Sequence, residues 1–302
     1  MSWTPEDVPD LSGKTFVITG ANSGIGFQAA RLLARSGGAV ILGCRSAERA
    51  MPAVTLIANE FPNADVSFLA LDLADLGSVA RFAETVKQRC AHLDVLINNA
   101  GVMAIPRAET AQGFEMQLGT NHLGHFALTA HLIPHLRAAP EPRVVHVSSH
   151  AHRDGVIQFD DLQSTTHYNR WKAYCQSKLA NLLFHYELSR RSDLLSAACH
   201  PGYAATNLQS SHARMTGSVA GRAFWSVVNR WVAQDSEPGS HPTVYAATMP
   251  EVQGGDYYGP GGLFEMWGPP KKVSPATCAL DATLASRLWD TSVALTGVDP
   301  LA

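Results

Sequence analysis

Short apolar runs alternate with amphipathic stretches along most of the chain, and that rhythm predicts strands alternating with helices. Thr15-Phe-Val-Ile-Thr19 is a β-branched run bounded by Gly13 and Gly20, the pattern of a buried strand. Residues 25–35 follow with helical spacing. Residues 39–42 read as a second strand, 47–60 as a second helix, 66–71 as a third strand and 78–89 as a third helix. A fourth strand is expected over 93–97, a long helix within 110–136, a fifth strand over 143–147, a helix over about 171–191 and a sixth strand over 195–200. The strands are continuous apolar runs rather than alternating ones, as expected when helices cover both faces of a parallel sheet.

No Pro/Gly/Ser-rich linker and no repeat divides the pattern. It predicts a single α/β domain over residues 1–302, Rossmann-like and doubly wound, with a mostly parallel sheet of about seven strands flanked by helices. Three stretches interrupt the rhythm. Residues 150–170 are polar and irregular, 204–234 begin as loop and end in an amphipathic helix carrying Trp225 and Trp231, and 257–275 are crowded with Gly and Pro before a last helix over 279–295. Ligands of open α/β sheets bind beyond the carboxyl ends of the strands, so 204–234 and 257–275 are the expected walls of a substrate pocket.

Composition narrows the field further. A hydrophobic content of 46% with 16% charged residues suits a compact fold and not a disordered chain. A formal charge of −3 and the lack of any Lys/Arg stripe argue against nucleic-acid binding. Five scattered cysteines without a Cys-x-x-Cys pair read as reduced thiols of a cytoplasmic protein. Met1 to Leu11 has no apolar core, and no window approaches about 18 apolar residues, so neither a signal sequence nor a membrane span is expected.

Two features carry chemistry. The first strand runs into Gly20-Ala-Asn22-Ser23-Gly24-Ile25-Gly26 and then a helix. Gly20 permits a sharp turn, Gly24 lets a pyrophosphate approach the backbone, Gly26 permits close packing, and the helix start supplies amide donors. At the end of the second strand stands Arg45, where a carboxylate would select the ribose hydroxyls of NAD(H). A guanidinium there suits the 2′-phosphate of NADP(H), which is therefore favoured over NAD(H). The second feature is Tyr174-Cys-Gln-Ser-Lys178. Four residues apart on a helix, the two side chains share a face. A phenol titrates near ~10, and a fixed ammonium nearby favours the phenolate; lowering it by about three units takes roughly 4 kcal/mol.

Together these residues resemble the short-chain dehydrogenase/reductase family across nearly the whole chain. The glycine turn is similar to its cofactor turn, Asp72-Leu73 to its adenine contact, and Asn98-Asn99-Ala100-Gly101 to its fourth-strand motif. Asn121 matches its relay asparagine, Ser149 its catalytic serine, Tyr174 and Lys178 its catalytic pair, and Pro201-Gly202 with Thr206 its nicotinamide-side segment. Cys44-Arg45-Ser46, the stretch Tyr174 to Asn181 and the tail Leu288 to Ser292 look most like the retinol-dehydrogenase-like branch and its bacterial relatives. The resemblance implies reversible hydride transfer between NADP(H) and a carbonyl or alcohol, with Tyr174 as acid/base, Lys178 tuning it, Ser149 orienting the substrate oxygen and Asn121 placing a water.

It also implies a small-molecule substrate, and the aromatic content of the irregular segments points to an apolar one. A homodimer or homotetramer built on the helices of Asn121 and Tyr174 is compatible with it, as is a monomer. Reduction of an activated C=C bond, epimerisation and cofactor sensing without turnover remain alternatives on the same scaffold. Among the histidines, His131 and His135 have a metal-like spacing without a third ligand, His122 and His125 read as packing or surface residues, and His150 and His152 border the expected pocket.

Overall fold

The apolar runs assemble into one eight-stranded sheet in a computed structural model of the chain, which describes residues 2–202 and 236–302. In chain order the strands are β1 (Thr15–Thr19), β2 (Ala39–Cys44), β3 (Val66–Ala70), β4 (Val95–Asn98), β5 (Arg143–Val147), β6 (Leu195–Cys199), β7 (Tyr257–Pro260) and β8 (Pro270–Lys272). Their spatial order is 3-2-1-4-5-6-7-8, parallel throughout except that β8 pairs antiparallel with β7. The helices are α1 (Gly24–Arg35), α2 (Ala47–Glu60), α3 (Leu76–Arg89), α4 (Gly124–Leu136), α5 (Arg170–Arg191), α6 (Ser236–Thr248) and α7 (Ala282–Thr296). Among the described residues no helix is long and apolar enough to cross a membrane.

Side-chain alternation in β1 sends Phe16 and Ile18 to one face and Val17 to the other. The first face packs on α1, α2 and α6 through Leu32, Leu33, Ile57 and Val244. The second packs on α3, α4, α5 and α7 through Phe82, Phe126, Phe184 and Trp289. With both faces covered, every residue of β4 and β5 is buried. The chain leaves β3 at one edge and re-enters as β4 on the far side of β1. That reversal opens a crevice at the carboxyl ends of β1 and β4.

The sheet has eight strands where about seven were expected, because the Gly/Pro-rich stretch 257–275 is not all loop. It supplies β7, whose four residues are buried, and β8 at the edge. A Cβ on Gly259 would overlap the His200 imidazole, so the glycine is there for a close approach and not for a turn. Helix α6 was not expected either, since its sequence SEPGSHPTVYAAT is polar at first and contains an internal Pro242. Within 110–136 the regular helix starts late. Gly113 turns at φ 81°, Glu115 caps a single turn over Met116–Leu118, and a π-helical stretch Gly119–Leu123 precedes α4. Residues 204–234, including the Trp225–Val232 stripe, lie outside the described residues.

Four histidines are fully enclosed on α4, α5, β5 and the π stretch. Burial depresses His122 and His185 to about 3, His125 to about 4, and His146 well below the ordinary 6.5. The folded state therefore favours neutral imidazoles, and the unfolded chain takes up protons first as pH falls. Stability from this source is complete above about pH 6.5 and is lost progressively toward about pH 3, on the order of 2 kcal/mol per histidine by pH 5. Urea unfolding is expected to show a markedly lower midpoint at pH 5 than at pH 7; equal midpoints would contradict the assignment.

Candidate active site

The cofactor-like turn is built at the end of β1. Gly20 and Gly24 adopt φ of 68° and 59°, which L-side chains rarely do. A Cβ on Gly20 would come within 2.9 Å of Ala100, and one on Gly26 within 2.5 Å of Asn99 Nδ2. These glycines thus press the start of α1 against the end of β4. Ser23 is the N-cap of α1, yet its side chain makes no capping bond, so among the described residues the hydroxyl leaves the first amides of α1 uncapped, an arrangement that suits an anion. Asn22 belongs to the same turn, while Ile25 is buried beneath it. The Cys44 thiol lies beneath the turn, where burial pushes it up to about 11 against the opposing influence of the Ala21, Asn22 and Gly20 backbone, so it is an inert prop. Arg45 follows directly, exposed at the end of β2.

A buried knot of hydrogen bonds joins this turn to the fourth-strand motif. The Thr19 hydroxyl accepts from the backbone amides of Asn99 and Ala100, both at 2.9 Å, and Asn99 Nδ2 donates to the Thr19 carbonyl at 2.7 Å. His125 Nε2 lies 2.8 Å from the same hydroxyl, and its Nδ1 lies 2.9 Å from the Asn121 carbonyl. A carbonyl only accepts, so Nδ1 carries the ring proton and Thr19 donates to Nε2. His125 is therefore not packing alone: it links the cofactor turn to Asn121. Asp72 accepts from the Ala74 amide at 3.0 Å, and Leu73 packs against Gly124 so closely that a Cβ there would overlap its carbonyl.

The candidate catalytic group sits one strand further along. Asn121 accepts from the Val102 amide at 2.8 Å and donates to the Val102 carbonyl and the Ser177 hydroxyl, both at 2.9 Å. Its side-chain amide thereby clamps the loop after Gly101 to α5. A Cβ on Gly101 would lie 3.2 Å from Asn121 Oδ1 and 3.5 Å from Lys178 Nζ, which places those two polar atoms on one small surface. Lys178 Nζ donates to the Val147 carbonyl at 3.0 Å and stands 5.9 Å from the centre of the Tyr174 ring. Ser148 donates to the Lys178 carbonyl at 2.9 Å, fixing the helix against the end of β5. Ser149, the next residue, stands near the Tyr174 phenol and favours its ionised form, and its hydroxyl accepts from the Ala151 amide at 3.2 Å.

Electrostatics here differ from the simple reading of the Tyr–Lys spacing. Burial pushes the Tyr174 phenol up to about 12, opposed by the nearby Ser149 hydroxyl, and depresses Lys178 to about 8. The expected lowering of the phenol by the ammonium is absent, because enclosure outweighs it and Nζ is directed to the Val147 carbonyl. Both groups sit on α5, whose residues Ala173 to Leu188 are all buried. The phenol is thus held as a proton donor at neutral pH.

The structure brings together Gly20, Gly24, Gly26, Asn99, Ala100, Gly101, Asn121, Ser149, Tyr174 and Lys178, with Pro201 and Gly202 leaving β6 beside them. Thr206 and Tyr203 lie outside the described residues. Sequence analysis gave no role to Thr19 or Ser177, took Cys44 only as part of the resemblance, read His125 as a packing or surface residue and placed His152 at the border of the pocket. That last histidine, buried, donates from Nδ1 to the Ser149 carbonyl at 2.6 Å and accepts at Nε2 from the Ala276 amide at 3.0 Å, so neither nitrogen is free for substrate. The only signal for these residues was their closeness in sequence to the motifs.

A strand-turn-helix nucleotide crevice beside a Ser–Tyr–Lys cluster defines a dehydrogenase class, and the family model for short chain dehydrogenases matches residues 14–216; the chain belongs to that family. It is similar to Retinol dehydrogenase 13 of Homo sapiens, 43% identical over 300 residues covering 96% of this chain and 86% of that protein. Retinol dehydrogenase 14 of Homo sapiens is 39% identical over 306 residues, covering 95% and 88%. An uncharacterized protein of Mycobacterium paratuberculosis, known from a crystal structure, superposes with a TM-score of 0.81 at 41% identity over 99% of each chain. A short chain dehydrogenase of Shigella flexneri, complexed with NADP, shares the fold at a TM-score of 0.63 and 22% identity, over 82% of this chain and 97% of that one.

Because a methyl on Gly26 meets both Asn99 Nδ2 and the Gly20 carbonyl, Gly26→Ala is expected to destabilise the fold by about 1–3 kcal/mol. Thermal unfolding together with titration of NADPH by fluorescence checks this. Unchanged unfolding and unchanged affinity would contradict the packing described.

Proposed function

We propose that the chain interconverts an apolar carbonyl compound and its alcohol, using NADP(H). The observation that carries this reading is the enclosed Tyr174 phenol, with Ser149 near it and Lys178 Nζ 5.9 Å from its ring centre, next to a turn shaped for a dinucleotide. Gly20 and Gly24 in left-handed conformation and the uncapped start of α1 after Ser23 fit a pyrophosphate. Arg45, exposed beside Ser46, supports the phosphorylated nucleotide, through charge-assisted bonds to its 2′-phosphate. The relatives named for retinol support an apolar substrate.

Bound nicotinamide would supply or accept the hydride. The chain does the rest. Ser149 orients the substrate oxygen, and Tyr174 gives its proton to the developing alkoxide in reduction and reclaims it in oxidation. Lys178, charged below about pH 8, stabilises the phenolate that the transfer leaves behind. Asn121 holds the Val102 loop and Ser177 around that ammonium, and we assign it the placing of a water that connects Lys178 to solvent.

Following NADPH absorbance with a panel of apolar aldehydes and ketones tests the reading directly. Tyr174→Phe keeps the ring and is expected to lower kcat about 10²–10⁴-fold with NADPH affinity nearly unchanged. Wild-type rates in that variant would sink the assignment. Arg45→Ala is expected to weaken NADPH binding by roughly 10–100-fold while leaving NADH alone, in line with the loss of one charged hydrogen-bond partner. Equal effects on both nucleotides would remove Arg45 from the phosphate site.

A further inference from the structure

Beyond the catalytic group, the ends of three neighbouring strands carry a second polar cluster. β5 and β6 run in register, Val147 beside Cys199, so Ser148 and His200 emerge side by side, with Ser149 one residue further on. β7 lies next, bonded to β6 through the His200 amide and the Tyr258 carbonyl at 2.9 Å. The loop that follows β7 returns Glu265 to this edge. His200 Nε2 lies 3.1 Å from Glu265 Oε2, and His150 Nε2 and Arg153 Nη2 lie 3.5 Å and 3.4 Å from the same oxygen.

Two histidines and a carboxylate whose ligand atoms all fall within 4.8 Å could be read as a metal site. The protonation of His200 excludes that. The Gly202 amide donates to His200 Nδ1 at 3.2 Å, so the ring proton must sit on Nε2 and point at Glu265. No lone pair of His200 faces the cluster, and the Arg153 guanidinium already occupies the carboxylate. Burial keeps the imidazole neutral, and its hydrogen bond holds the Glu265 carboxyl below the usual range. The cluster is a carboxylate held by His200 and Arg153, with the His150 ring close by and its Nε2 making no hydrogen bond among the described residues.

What the grip holds is unusual backbone. Phe264 and Glu265 are consecutive non-glycine residues in the left-handed region, at φ of 52° and 56°. Such conformations persist only where surrounding contacts impose them. A Cβ on Gly202 would come within 2.5 Å of the Met266 carbonyl, so the strained loop rests directly on the segment expected beside the nicotinamide. On its other side Arg153 donates to the Ser274 carbonyl at 2.9 Å, and His152 bridges the Ser149 carbonyl to Ala276.

We propose that Glu265 is a positioning residue for the reaction, its carboxylate gathering His200 and Arg153 so that the Ser149 turn and the Pro201–Gly202 segment keep a fixed separation across the substrate. The inference rests on the carbonyl/alcohol reading above. The arms are unequal. Arg153 is partly exposed, and exposed ion pairs are weak, whereas the His200 arm is buried and carries most of the constraint.

The test compares full-length wild type, Glu265→Ala, Glu265→Gln and Arg153→Ala by NADPH-linked reduction of an apolar aldehyde and by amide hydrogen exchange. Glu265→Ala is expected to lower kcat/KM about 10–100-fold, as small misplacements at reacting centres do. Exchange at Gly202, Gly262 and Glu265 should accelerate about tenfold or more, with the NADPH dissociation constant within about threefold. Glu265→Gln, which keeps one acceptor for His200, should fall between, and Arg153→Ala should lose least. If Glu265→Ala does not fold, the Gln variant decides by the same two measurements. Unchanged exchange overturns the inference whether or not turnover is seen. So does unchanged kcat/KM in an active enzyme, whereas a wild type without turnover but with accelerated exchange in the variant overturns only the functional reading.

Discussion

The structure depends on the way Thr19 ties β1 to β4. These two strands meet where the chain reverses direction across the sheet, and nothing covalent spans the crevice between them. One hydroxyl takes two backbone amides of the β4 end and gives its proton to His125, while the Thr19 carbonyl takes the Asn99 side chain. All of this is buried or nearly so, where an unmade hydrogen bond costs about 1–3 kcal/mol. The two halves of the crevice therefore move together. The glycine turn on one side and Gly101 on the other inherit their spacing from this knot, and through His125 so does Asn121.

The sheet and helices up to β6 were legible because burial on both faces writes itself as uninterrupted Val/Ile/Leu/Ala runs. The site motifs were legible because each needs a residue type that packing alone does not supply, such as a left-handed glycine or a polar group at a strand end. β7 was not legible, because its sequence YYGP contains a glycine demanded by the ring of His200, a residue nearly sixty positions away. Such a demand leaves no local trace. α6 was hidden for a related reason: two prolines and a polar opening are poor helix signals, and the helix is held by burial of Val244, Ala246 and Ala247 against the sheet.

The Tyr174–Lys178 spacing teaches a different limit. It correctly placed both side chains on one face, yet the sign of the phenol's shift depended on enclosure, which no spacing encodes. Desolvation disfavours the charged form of each group, raising one and lowering the other. The pair is then poised as neutral acid and readily neutralised base. That arrangement makes proton donation to an alkoxide favourable and leaves formation of the phenolate to the moment of reaction.

Histidine is the element that neither composition nor motif exposed, and its neutrality is what makes it useful. A neutral imidazole is a donor at one nitrogen and an acceptor at the other, so it can join two groups of opposite kind. His125 does this between the Asn121 carbonyl and the Thr19 hydroxyl, His152 between the Ser149 carbonyl and the Ala276 amide, and His200 between the Gly202 amide and Glu265. In His152 and His200 the accepting nitrogen faces a backbone amide, and in His125 it faces the Thr19 hydroxyl, whose lone pairs are already taken by two amides. Protonation would set donor against donor at each of these. Burial, by depressing all three, keeps the connectors in the one state in which they connect. The ends of β1, β5 and β6, which carry the glycine turn, Ser149 and the Pro201–Gly202 segment, are each fixed by one of them.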